Sequence, residues 1–212
     1  MNESPDLREQ NVRFLLQEFG QLDSERLRLK GEAVQRLNFF LTLTSAILGG
    51  LVLFGQSSVL IGVQYVALVA LLFLSMIGWY TLEYIVGREI NTDRVLRAGA
   101  RIRRYFTNSD PSIQQYLMWP DHDGPTGYIT HNNSAIRRTI EAVLSFLLAA
   151  SAGLLLGILN LIPSTSVVIG IISFILFLVG FEFYASRRFK RAVKKAEAEQ
   201  LHSKRAAQTA KA

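Results

Sequence analysis

The chain has 212 residues, 50% of them hydrophobic and 19% charged, with a formal net charge of +6. It contains no cysteine, which excludes disulfides, thiolate metal sites and a cysteine nucleophile. Its charge is gathered into blocks rather than scattered, a membrane composition with a basic rim and little room for a second domain.

Residues 1–37 carry 6 basic and 7 acidic residues before any apolar run, so no signal peptide is expected and the first span should stay as an uncleaved anchor. Val12, Leu15, Leu16, Phe19 and Leu22 recur at three- and four-residue spacing and predict an amphipathic helix. Such a stripe must cover something, because an isolated helix is marginal in water. Gly20 and Gly31 weigh against one unbroken rod.

Four apolar stretches follow, 38–55, 59–86, 139–162 and 167–184, and none holds a Lys or Arg. Each is long enough to cross a hydrocarbon core of about 30 Å at about 1.5 Å per residue. The joints inside each pair are short and uncharged: Gln56-Ser57-Ser58 and Pro163-Ser164-Thr165-Ser166. All 23 basic residues lie outside the stretches. The positive-inside rule then predicts that both termini and the central loop are cytoplasmic. The fold class is all-α, a membrane protein with four transmembrane helices. Its parts are an arm (1–37), a first hairpin (38–86), a basic helical loop (87–138), a second hairpin (139–185) and a basic tail (186–212).

Within the loop, Gly87 to about Phe106 reads as a helical extension of the second span, broken by Thr107-Asn108-Ser109-Asp110. Asp110 before Pro111 is a good N-cap, and a short helix is predicted over 111–118, ended by Trp119-Pro120. Residues 121–133 are turn-rich. Asn133 or Ser134 caps the third span, and the tail continues the fourth. The tail holds 9 basic against 2 acidic residues from 187 onward, and 88–138 holds 8 against 5. Anionic lipid headgroups or a polyanionic ligand are natural partners of such a face.

Arg94, Arg97, Arg101 and Arg104 fall on one helical face, with Arg103, Tyr105 and Phe106 beside them. Planar guanidiniums suit phosphate, and the rings could stack bases. The rival reading is structural: pairing with Glu18, Glu25 and Glu32 of the arm, or plain solvation. In the first span, Asn38, Thr42, Ser45 and Gly49 form a polar and small row. It is either an intramolecular helix interface or a pore lining shared between copies. In the third, Ser145, Ala149, Gly153 and Gly157 step by four and predict close helix packing.

Glu83, Glu141 and Glu182 lie near Arg88, Arg137 and Arg187, so interfacial ion pairs are expected rather than an ion relay. Asp121-His122-Asp123 sits in a Gly/Pro turn and is a poor metal cluster. No metal or other cofactor is expected, and no arrangement predicts catalysis.

Arg101-Ile102-Arg103-Arg104-Tyr105-Phe106, followed by Asp110-Pro111-Ser112-Ile113 and Tyr116-Leu117, resembles a run in small four-pass membrane effectors of bacterial anti-phage defence, those of the Hailong system among them. The resemblance implies an oligomeric ion channel of the bacterial inner membrane. It would be held shut by single-stranded DNA oligomers made by a partner nucleotidyltransferase.

A four-span chain is too small to enclose a channel alone, so a homo-oligomer is expected, a tetramer by preference. The alternatives are a non-conducting anchored module that binds lipid or protein, and a small transporter.

Overall fold

A computed structural model describes residues 5–55, 62–119, 121–130, 134–159 and 163–209. The elements are α1 (Pro5–Gly55), α2 (Val63–Ser109), a 3-10 helix (Pro111–Tyr116), α3 (Gly127–Thr130), α4 (Ala135–Ile158) and α5 (Pro163–Thr209). No strand occurs among the described residues.

α1 runs unbroken through Gly20 and Gly31. A helical glycine costs only about 1 kcal/mol against alanine, and the buried Leu29 and Ala33 on either side of Gly31 outweigh that. α2 ends at Ser109, where the break was expected. Asp110 then caps the next turn: its side chain accepts from the Ser112 amide at 3.0 Å and the Ser112 hydroxyl at 2.7 Å. Those two bonds hold its carboxyl below the usual range. That turn is a 3-10 helix ending at Tyr116, shorter than the 111–118 expected.

α3 is a single turn inside the segment read as loop. Ser134 caps α4, its hydroxyl accepting from the Arg137 amide at 3.3 Å; Asn133 lies outside the described residues. α5 already begins at Pro163, so the expected joint 163–166 is its first turn. Proline suits that position because its missing N–H would be unpaired there anyway. The Gln56-Ser57-Ser58 joint lies outside the described residues.

Contacts divide the chain into two compact units. One comprises Glu32–Gly87 and Asn133–Arg188; the other comprises Met1–Gly31, Arg88–Asn132 and Phe189–Ala212.

The first of these holds the apolar stretches. Its core is Phe40, Leu74, Leu82, Ile85, Ile140, Leu144 and Leu147, all at 1% exposure or less. Gly78 makes this packing possible. A Cβ there would lie 2.9 Å from Phe40 Cζ and 3.0 Å from Leu144 Cδ1. Outside the core, α2 exposes Val66, Val69, Phe73 and Met76, and α5 exposes Ile171, Ile175, Leu176 and Val179. Apolar side chains exposed in this number need hydrocarbon around them. Four helices are long and apolar enough to cross a membrane.

The second unit is built differently. Leu29, Ala100, Ile102, Ile129, Phe189 and Ala196 form a small core, and Asp93, Arg97, Thr107 and Asp123 are buried among them.

Candidate functional site

The arginine row of α2 divides into buried and exposed members. Arg97 is 5% exposed. Its Nε donates to Asp93 Oδ2 at 2.9 Å, one helical turn earlier, and its Nη1 donates to Glu199 Oε2 at 2.9 Å. The other oxygen of Asp93 accepts from the amide and hydroxyl of Thr126, at 2.9 and 2.8 Å. Arg104 donates through Nη2 to Asp123 Oδ1 at 2.7 Å and through Nε to the Asp121 carbonyl at 3.2 Å. Arg101 reaches Asp123 Oδ2 at 3.3 Å, and Gln200 donates to Oδ1 at 3.3 Å. Thr107 donates to Asp121 Oδ2 at 3.2 Å.

Asp123 is 1% exposed. Burial works to raise its pKa, but the guanidiniums of Arg104 and Arg101 outweigh that and hold the carboxyl below its ordinary value. Buried charges persist only when paired and hydrogen-bonded in this way. The network therefore clasps the loop at 121–126 onto α2 and onto the end of α5.

The structural reading of the row names the wrong acids. The partners are Asp93, Asp123 and Glu199, not the arm's glutamates; Glu25 pairs instead with Arg28 on its own helix. The Asp93–Arg97 spacing of four was a legible signal that the charge pattern offered. Asp121 and Asp123, read as a weak metal cluster, serve as acceptors for arginine and threonine.

Arg94 and Tyr105 remain on the surface, and the side chain of Arg101 is 49% exposed. Arg94 makes one long hydrogen bond, 3.4 Å to Asn91. Tyr105 and Phe106 meet edge to face at 5.5 Å between centroids. Arg103 turns the other way, over the Phe19 ring at 5.7 Å, and Arg26 lies over Trp119 at 5.0 Å. These four side chains border a cavity of about 240 Å³ with Gly99 on its wall. Phe19 is thus engaged, although the periodicity alone did not show with what.

In the other unit, Asn38, Thr42, Ser45 and Gly49 are all exposed. A Cβ at Gly49 would meet nothing within 4 Å. Among the described residues, no helix of the chain buries this row. The α4 row behaves otherwise: Ser145 and Ala149 are buried, Gly153 is half-buried and Gly157 is exposed. The Ser145 hydroxyl donates to the Glu141 carbonyl at 2.7 Å, and the Cβ position of Gly170 on α5 lies 4.0 Å from the Ala149 carbonyl.

The expected acid–base pairs form with some exchange of partners. Arg137, fully buried, serves both Glu141 at 2.5 Å and Glu182 at 3.4 Å. Glu83 approaches Arg188 at 3.8 Å rather than Arg88.

No protein-family model, curated protein or solved structure matches the chain. The class rests on the fold itself: an all-helical membrane protein with four helices long and apolar enough to span the bilayer.

Proposed function

We propose that the chain is a homo-oligomeric pore-forming effector of the bacterial inner membrane, a tetramer, with both termini and the basic loop in the cytoplasm. The exposed row Asn38, Thr42, Ser45 and Gly49 carries this reading. It crosses an apolar span, where a polar side chain facing lipid leaves its hydrogen bonds unmade at a cost of a few kcal/mol. Among the described residues the chain's own helices leave it exposed, so copies meeting around a wet axis would cover it. The row carries no charge, so conduction would be weakly selective or gated by an apolar constriction.

Control is assigned to an anionic ligand of nucleotide type, single-stranded DNA included, at the exposed guanidiniums Arg94 and Arg101 beside Tyr105. A role in anti-phage defence follows from the resemblance of the Arg101–Phe106 run. Thr42→Trp and Ser45→Trp test the pore: each should abolish leak and toxicity while the protein still inserts. Unchanged leak in both variants would remove span one from the conduction path.

A second reading is favoured by one observation. Arg187, Lys190, Arg191 and Lys194 are all exposed and follow directly on the fourth apolar stretch. Such a face suits anionic lipid headgroups. A non-conducting anchored module would use it alone, and the tryptophan variants would then change nothing.

A further inference from the structure

The cavity of about 240 Å³ at Gly99 has a chemistry that the surface at Arg94 and Arg101 lacks. Its wall is apolar: Phe19 and Leu22 of α1, Val95 and Leu96 of α2, and Trp119 beyond the 3-10 helix. Its charged members are Arg26, Arg103 and Asp23, two guanidiniums against one carboxylate. All of these residues belong to the unit that contains the arm.

Each guanidinium stands over a ring, Arg26 over Trp119 and Arg103 over Phe19. Stacking engages the flat face of a guanidinium, whereas its N–H donors point outward in the plane. Arg26 approaches Asp23 at 3.6 Å, an ion pair too long for a hydrogen bond. Burial lowers the pKa of Arg103; Asp121 opposes this, and the neighbouring positive charge of Arg26 adds to it. An anion between the two guanidiniums would relieve that repulsion.

We propose that this cavity binds a small organic anion, a single flat ring carrying one phosphate or carboxylate group, with the ring on the apolar wall and the oxyanion at Arg26 and Arg103. Bonds from guanidinium to either group are charge-assisted. The cavity is smaller than the about 300–1,000 Å³ of sites for drug-sized ligands, so it suits one ring rather than a length of nucleic acid. Arg94, Arg101 and Tyr105 do not line it. The ligand would bridge α1 to α2 and hold the arm in place.

The chain has two tryptophans, so Trp79→Phe leaves Trp119 as a fluorescent reporter on the cavity wall. The full chain, in nanodiscs of a zwitterionic lipid, would be titrated with phenyl phosphate, benzoate, inorganic phosphate and benzyl alcohol. Phenyl phosphate or benzoate should change the Trp119 emission saturably, at least tenfold more tightly than the other two probes. Arg26→Gln should weaken that binding at least tenfold with an unchanged melting temperature. Gly99→Leu should abolish it, because a Cβ there lies at ordinary contact, 3.6 Å from Arg103 Nη1 and 3.7 Å from Phe19, and a longer side chain enters the cavity. Arg26→Gln alone decides where Gly99→Leu does not fold. Arg94→Glu with Tyr105→Ala should leave binding intact, and its loss there would assign the probe to the other surface and reject this site. No saturable change, or binding unaltered by Arg26→Gln, overturns the proposal. Equal affinity for inorganic phosphate leaves only an anion patch, and equal affinity for benzyl alcohol only an apolar void; either result overturns it too.

Discussion

Asp93 and Thr126 are joined twice. The Thr126 amide and hydroxyl both donate to one carboxylate oxygen of Asp93, which is 1% exposed, while the other oxygen takes Arg97. One aspartate therefore ties a guanidinium and a loop backbone together across 33 residues of sequence. Breaking a buried pair from one side leaves an uncompensated charge. Arg97→Met should destabilise the protein by about 3–5 kcal/mol, whereas Arg94→Met, on the surface, should stay within about 0.5 kcal/mol. Thermal unfolding in detergent separates the two, and equal effects would contradict the buried network.

Asp123 predicts a pH dependence with a definite sign. Its carboxyl is held below the ordinary value in the fold. Its contribution to stability is therefore present above the unfolded pKa, near 3.8, and is lost as pH falls through the depressed folded value. Protonation would release Arg104 and Arg101 together. Asp123→Asn should lower stability at pH 7 and flatten its dependence below about pH 4. A variant as acid-sensitive as the wild type would show that other carboxylates carry the transition.

Gly78 and Gly50 make a matched pair in the apolar stretches. The first sits against Phe40 and Leu144, and the second has nothing within 4 Å of its Cβ position. Gly78→Ala should cost about 1–3 kcal/mol through overpacking. Gly50→Ala should be neutral or stabilising, since alanine is the better helix former. Melting temperatures of the two variants in one detergent decide this.

The four-pass topology makes a prediction that needs no ligand. Reporter fusions at Ser57 and Ser164 should read outside, and fusions at Asp123 and Ala212 inside. A cytoplasmic signal at Ser164 would reject it.

The helices were legible because long uncharged apolar runs have few other solutions, and because Ser134 and Asp110 carry their caps in the local sequence. Gly20 and Gly31 misled because local propensity is small beside packing. Arg97 shows the harder limit. Its spacing placed it on one face with Arg94, Arg101 and Arg104, but periodicity fixes a helical face, not what lies against it. Glu199 lies 102 residues away, and only the fold brings it within 2.9 Å. The polar row of span one was legible as a row; only the packed bundle shows it pointing outward.

That limit reshapes the test of the ligand site. Charge reversal at Arg97 would break the Asp93 and Glu199 pairs and could abolish binding merely by unfolding, so the variants belong at the surface. Arg94→Glu with Tyr105→Ala removes one exposed guanidinium and one exposed ring and leaves the buried pairs intact. If phosphates are bound, affinity for short single-stranded DNA should fall steeply with salt as condensed counterions are released. It should also change little with base sequence, since backbone contacts carry none. Loss of the ring alone should weaken binding by roughly 1–3 kcal/mol per stacked base. The double variant should therefore bind at least tenfold more weakly, with an unchanged melting temperature. If the ligand holds the pore shut, the same variant should be toxic without infection. Equal binding by the double variant and the wild type, or none by either at low salt, would reject this ligand site.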